Sequence, residues 1–266
     1  MRTRVIPGCA ALVFGLLLGT SASAQNGTPS SKATADINTL VKCTMSTATT
    51  DDGSAVLPAS CVDLFSGASV ATAGEWIPIM SAAVKLSNSQ SLFVSPSLVT
   101  GLYTQTRTKT STGGTSTAQA MGAVYLRAVL SPADGGPDIV ASPLNLCDAT
   151  ILGCANQGGH WGVVLDSRIQ TLTQSLSTCT VLVDGGGTGT CDFTSVIDLV
   201  LQTSSAHTFN LIFPNVGVGV YTLKIYGAVA SGASILEGSG TAVGAAAFGL
   251  GSVTADSVRL VHDFSF

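Results

Sequence analysis

Six cysteines lie beyond residue 40: Cys43, Cys61, Cys147, Cys154, Cys179 and Cys191. Cysteine can ligate metal or form disulfides. Zinc sites favour close C-x-x-C pairs, and none occurs; Cys147 and Cys154 are too far apart for a zinc knuckle. An even count in an oxidising compartment points instead to three disulfides. Sequential pairing is the simplest of the fifteen arrangements six cysteines allow. Cys179–Cys191 is the best supported pair, because the two residues flank the turn-rich run Asp184-Gly185-Gly186-Gly187-Thr188-Gly189-Thr190. If Thr180 to Val183 begins a hairpin closed by that run, the two cysteines oppose each other. Opposed Cα atoms sit ~4.5–5.5 Å apart, which suits a disulfide. Such a closure stabilises a fold by ~3 kcal/mol in the chain-entropy model.

The three histidines are His160, His207 and His262. His207 is in phase with Phe209 and Leu211, and His262 with Leu260 and Phe264. Both read as hydrogen-bonded histidines at a core rim rather than as catalytic bases. His160-Trp161 follows Gly158-Gly159, and an aromatic on such a loop can stack on a sugar ring. A tryptophan that buries its ring and hydrogen-bonds its N–H is commoner. The pair is nonetheless the one candidate binding site, and carbohydrate its candidate ligand. No catalytic residue is assigned. The nucleophile elbow G-x-S-x-G is absent, as are H-E-x-x-H and the EF-hand loop. Asp134 and Asp138, or Asp51 and Asp52, could hold calcium with nearby carbonyls, but acidic turns without metal are commoner. No cofactor or metal is therefore expected. The glycine run 184–190 lacks the spacing, the following helix and the lysine of a phosphate cradle. Glycoside hydrolysis needs two carboxylates ~5–10 Å apart, and the chain has just two glutamates, Glu75 and Glu237.

The elements that must position these residues read as strands. Ser, Thr, Gly, Ala and Val dominate, which suits strands and tight turns over amphipathic helices. Ile77 to Leu86 is a strand whose Pro78 marks an edge or an entry kink. Ser91 to Thr106 is extended and interrupted at Pro96. Thr108 to Thr117 reads as a hydroxyl-rich loop. Ala118 to Leu130 is the clearest strand, with Val124, Leu126, Ala128 and Leu130 on one face and Tyr125 and Arg127 on the other. Trp161 to Asp166 and Arg168 to Leu176 follow. Asp192 to Leu201 carries Ile197, Leu199 and Leu201 on one side, and His207 to Phe213 turns Phe209, Leu211 and Phe213 inward. Val218 to Val229 alternates as well. Residues 230–250 hold too many Gly and Ala for assignment. Ser252 to Phe264 switches phase, which a bulge near Asp256-Ser257 would explain.

Arg2 and Arg4 precede the apolar run Ala10 to Leu18, and Ser21-Ala22-Ser23-Ala24 ends it with small residues. That is the order of a secretory signal peptide cut after Ala24. The expected organisation is a signal peptide over 1–24, a Ser/Thr-rich N-terminal extension over 25–61 tied by Cys43–Cys61, and a β-sandwich domain over 62–266. The product would be secreted, extracellular or periplasmic, where disulfides persist. No later stretch has the ~20 apolar residues of a spanning helix. Eleven basic residues face fifteen acidic ones, a net charge of −4. That balance argues against nucleic acid, whose phosphates call for basic clusters, and against anionic lipid surfaces.

Ser205 to Leu223, running Ser205-Ala206-His207-Thr208-Phe209-Asn210-Leu211-Ile212-Phe213-Pro214-Asn215-Val216-Gly217 and on through Tyr221-Thr222-Leu223, resembles a pattern of uncharacterised secreted bacterial β-sandwich proteins. Ala83 to Ser89 and Gly251 to Ala255 look similar. The resemblance implies an extracellular sandwich and carries over no functional residue. The strands together predict an all-β fold: a disulfide-stabilised antiparallel β-sandwich, jelly-roll-like, of about nine or ten strands. The function expected is non-enzymatic binding or structure at the cell exterior, toward a polysaccharide, a cell-surface protein or further copies of the chain. A secreted glycoside-active hydrolase is the first alternative. An outer-membrane β-barrel is the second, suggested by Phe264-x-Phe266 at the C-terminus but poorly served by two Trp and four Tyr.

Overall fold

A computed structural model describes residues 33–50, 56–143 and 162–258. Their strands are β1 (Ala33–Asn38), β2 (Lys42–Thr49), β3 (Ser69–Val70), β4 (Ile77–Leu86), β5 (Gln90–Ser111), β6 (Thr115–Pro132), β7 (Ile139–Val140), β8 (Val163–Ser175), β9 (Cys179–Val183), β10 (Gly187–Cys191), β11 (Thr194–Thr208), β12 (Leu211–Val216), β13 (Gly219–Glu237) and β14 (Ser239–Val258). One helical turn, α1 (Cys61–Leu64), is capped by Ser60, whose Oγ accepts from Asp63 N at 3.4 Å. The fold is an all-β sandwich of two open sheets. The first runs β11-β5-β14-β2-β3, with β12 continuing the β11 edge along β5 and β1 continuing β2 along β14. The second runs β4-β13-β6, with β7 and β8 both on β6. β9 and β10 form a separate hairpin.

Alternation explains the core. β6 turns Val124, Leu126, Ala128 and Leu130 inward against Leu223, Ile225 and Val229 of β13, and the first sheet answers with Leu98, Leu102, Phe213 and Phe248. Tyr125 lies on the opposite face with Trp76. The Arg127 guanidinium is stacked between the rings of Trp76 and Tyr226, 4.5 and 4.8 Å from their centroids. Pro78 sits on the edge strand β4, as its missing N–H requires. Pro96, by contrast, does not interrupt β5. Its carbonyl accepts from Phe209 N, so its nitrogen faces the same side, at the break between β11 and β12, and the β5–β14 register runs on through it.

Both disulfides on described residues form as the sequence suggested. Cys179 and Cys191 are directly opposed, with Cα atoms 5.1 Å apart. Cys43–Cys61 fastens α1 to β2 at a Cα distance of 6.0 Å. Residues 33–49, read from sequence as part of an extension, contribute β1 and β2 to the first sheet. The Gly/Ala-rich 230–250 segment is the end of β13 and most of β14. The phase switch in β14 lies upstream of its expected place: pairing with β5 shifts between Gly249 and Gly251, around Leu250 at φ 37°, while Asp256 and Ser257 stay in register. The fourteen described strands exceed the nine or ten expected because β1 and β2 lie in the stretch read as an extension and β3 and β7 are two residues each.

The sandwich tapers. β5 passes to β6, and β13 to β14, through tight arches at one end, where Ser116 Oγ accepts from Ser239 N and donates to Lys109 O. There the core shrinks to Ala118, Ala120 and Ala242. At Gly244 the backbones themselves meet: a Cβ would overlap the carbonyl oxygens of Met121 and Gly232 and lie 2.9 Å from Met121 N. Gly122 answers from the other sheet, its Cβ position 2.7 Å from Ala245 O. Thr108 to Thr117, expected as a loop, is strand apart from residues 112–114. The hydroxyls of Thr104, Thr106 and Thr108 point inward. Gln170 of β8 accepts from Thr104 Oγ1 at 2.7 Å and donates to Thr106 Oγ1 at 2.6 Å, and Gln174 accepts from Thr108 Oγ1 at 2.9 Å. The tapered interior therefore carries a paired polar seam beside its alanines.

Candidate functional site

The two flanks of the sandwich are built differently. At the β4 flank, edge groups are managed in the ways that keep sheets from pairing with strangers. Pro78 removes a donor, the register shifts beside Ile225, and the Asp36 carboxylate of β1 accepts from Ser81 N at 2.7 Å. The opposite flank is formed by β8 and β11. β8 carries two inward-pointing charges, Asp166 and Arg168. β11 is a regular strand of 15 residues without Pro, Lys, Arg or bulge, paired to β5 and to no other described strand. Asp198 is its single carboxylate.

β11 leaves both faces open. Val196 and Val200 on the outer face are 47% and 49% exposed, and Ile197, Leu199 and Leu201 on the inner face are 43%, 40% and 44% exposed. The sequence pattern had marked those three as core. Their periodicity is real, but β8 covers β5 and stops short of them, reaching β11 chiefly through Gln170, which donates to Leu199 O at 2.8 Å. The outer face is fixed by a relay: Tyr103 OH donates to Gln105 Oε1 at 2.9 Å, and Gln105 Nε2 donates to both Asp198 oxygens at 3.1 and 3.2 Å. Burial, with the Asp198 charge second, raises the Tyr103 hydroxyl above its ordinary pKa and keeps it a donor. Beyond β11's start, the disulfide-closed hairpin exposes Val181, Leu182 and Val183.

His207 lies at the far end of β11, half-buried at the rim. Its Nε2 is 2.6 Å from Ser205 Oγ and 3.4 Å from Asp166 Oδ2, and Thr100 Oγ1 donates to that same carboxylate oxygen at 2.6 Å. The residue types are those of a nucleophilic triad, but the geometry is not. A triad uses both ring nitrogens, one for the serine and one for the acid; here serine and acid converge on Nε2. The cluster, with Arg168 Nη2 donating to Thr203 Oγ1 at 2.7 Å, ties β8 to β11.

Of the other sequence candidates, His160, Trp161, His262, Cys147, Cys154, Asp51 and Asp52 lie outside the described residues. Asp134 closes a turn, accepting from Gly136 N at 3.1 Å. Among the described residues no group of three or more His, Cys, Asp or Glu could hold a metal ion, and no helix is long and apolar enough to cross a membrane. One groove of about 270 Å³ lies on the outer face of the first sheet, where Phe65 packs over Gly101 beside Leu64, Gln202 and Leu250. That volume falls just below the range of small-molecule sites. No protein-family model matches the chain, and no curated protein matches it.

Proposed function

We propose that this chain is an exported, non-enzymatic β-sandwich that binds protein strands along its β8–β11 flank. One observation carries the reading: among the described strands β11 is an unbroken 15-residue edge, open on both faces, while the other flank is blunted. An exposed row of N–H and C=O groups beside apolar side chains is the template for β-strand addition, in which backbone bonds give affinity and side-chain contacts give specificity. Two disulfides on described residues suit an oxidising compartment, and the signal-like N-terminus supports export. Phe193 is the one strongly exposed aromatic among the described residues, which favours a protein partner over a stacked sugar. The single-nitrogen geometry at His207 speaks against a serine hydrolase there.

The test is retention at the cell exterior. Intact cells, or the material around them, are incubated with the oxidised mature chain and with a Val196→Lys/Val200→Lys double variant. The wild-type chain is expected to be retained and the variant released at least tenfold more readily. Equal retention of both, or turnover of glycoside substrates by the purified chain, would refute the reading.

A further inference from the structure

Among the described strands the outer edge of β11 is unpaired, and it is complementary to itself. Phe209 N donates to Pro96 O and Thr112 N to Phe193 O. Odd-numbered residues of β11 therefore bond to β5, and the even-numbered ones, from Thr194 through Asp198 and Val200 to Thr208, turn their N–H and C=O groups outward. We propose that the occupant of this edge is a second copy of the chain, its β11 antiparallel to the first on a two-fold axis at Leu199. The proposal rests on the flank reading above and names its partner.

Side chains select that register. With the axis at Leu199, Leu199 faces its own counterpart and Ile197 faces Leu201 on both sides, giving three consecutive apolar pairs on one face. Asp198 faces Val200. Moving the axis one residue back sets Asp198 against Asp198, and like charges directly opposed are destabilising. Moving it one residue forward sets Ile197 against Thr203. Asp198 needs no cation from the partner, because Gln105 already donates to both its oxygens. The overlap from Thr194 to Ser204 supplies roughly a dozen interchain backbone bonds, the number a standard-size interface carries. The same step covers apolar side chains that are now nearly half exposed. A two-fold contact of this kind is closed, so it ends at a dimer rather than a filament.

The experiment uses the oxidised mature chain and reads mass by sedimentation or light scattering over a concentration series. Wild type is expected as a dimer. Leu199→Lys, which sets two ammonium groups on the axis, is expected as a monomer with unchanged circular dichroism. Register is read by cysteine substitution. Opposed residues in a non-hydrogen-bonded pair have Cα atoms ~4.5 Å apart, close enough for a disulfide. Leu199→Cys is therefore expected to form a covalent dimer and Leu201→Cys to remain non-covalent. A monomeric wild type, a dimer indifferent to Leu199→Lys, or equal crosslinking of the two cysteine variants overturns the proposal. If the wild type is monomeric yet Leu199→Lys abolishes retention at the cell exterior, the flank binds another protein, and only the second-copy assignment fails. If the monomer's outward β11 amides resist hydrogen exchange, another segment of the same chain covers the edge, and both readings fail.

Discussion

Replacing Gly244 by alanine tests whether the taper is held by backbone contact between the sheets. The new Cβ would lie 2.9 Å from Met121 N and closer still to the carbonyl oxygens of Met121 and Gly232, against the 3.4–4 Å of ordinary contact. Every obstructing atom is backbone, so no rotamer change relieves it. The sheets must part by at least about half an ångström in the middle of β14. Overpacking a core costs ~1–3 kcal/mol, and an obstruction that cannot rotate away belongs at the top of that range. At ~2–4 °C per kcal/mol for a domain of this size, Tm should fall by about 6–12 °C. Gly187→Ala is the control, because a Cβ there meets nothing within 4 Å; its effect should stay within ~0.5 kcal/mol. Urea unfolding gives the free energies directly. A Gly244→Ala protein within about 1 kcal/mol of wild type, or a control equally damaged, would refute backbone contact as the cause of the taper.

Gln170→Leu strands the Thr104 and Thr106 hydroxyls inside the sandwich, and unfolding in urea should show a loss of about 1–3 kcal/mol, the cost of leaving buried polar groups unpaired. Replacing Cys43 and Cys61 by serine should lower stability by about 3 kcal/mol, as expected for a bridge spanning 18 residues. Replacing Cys179 and Cys191 should leave Tm nearly unchanged and show instead as faster proteolysis of the 179–191 hairpin, which pairs with no other described strand. Burial raises the Tyr125 hydroxyl to about 12 from an ordinary value of 10.0. Its contribution is whole below pH 10 and is lost as pH climbs toward 12, where the unfolded chain has given up a proton that the folded one keeps. Alkaline titration should show tyrosinate absorbance and loss of structure rising together in that window; a Tyr125→Phe protein with the same profile would refute the assignment.

Much of the fold was legible wherever alternation was strong. β6 reads directly because Val124, Leu126, Ala128 and Leu130 recur at period two, and the 179–191 hairpin reads because glycines fall midway between two cysteines. The 230–250 segment was illegible for a physical reason: where sheets touch through backbone, small residues replace the branched ones that announce a strand. Thr108 and Thr110 resembled a solvated loop because the residue they bond to, Gln174, stands 66 and 64 residues away. The candidate site was the least legible part. Periodicity marks Ile197, Leu199 and Leu201 as one face, but whether that face is covered depends on how far β8 reaches. Leu250's positive φ moved the bulge to a place where the flanking glycines were the one local signal.

The pairing of β1 with β14 sets Ala33 beside Asp256. Synthesis begins at the N-terminus, so β1 and β2 exist long before the strand that receives them. Until β14 arrives, the first sheet lacks the inner member that joins β5 to β2, and among the described strands β2 has only the two residues of β3 to pair with. Closure of the first sheet therefore waits for β14. A chain truncated within β14 should persist as an aggregation-prone form rather than a smaller folded protein.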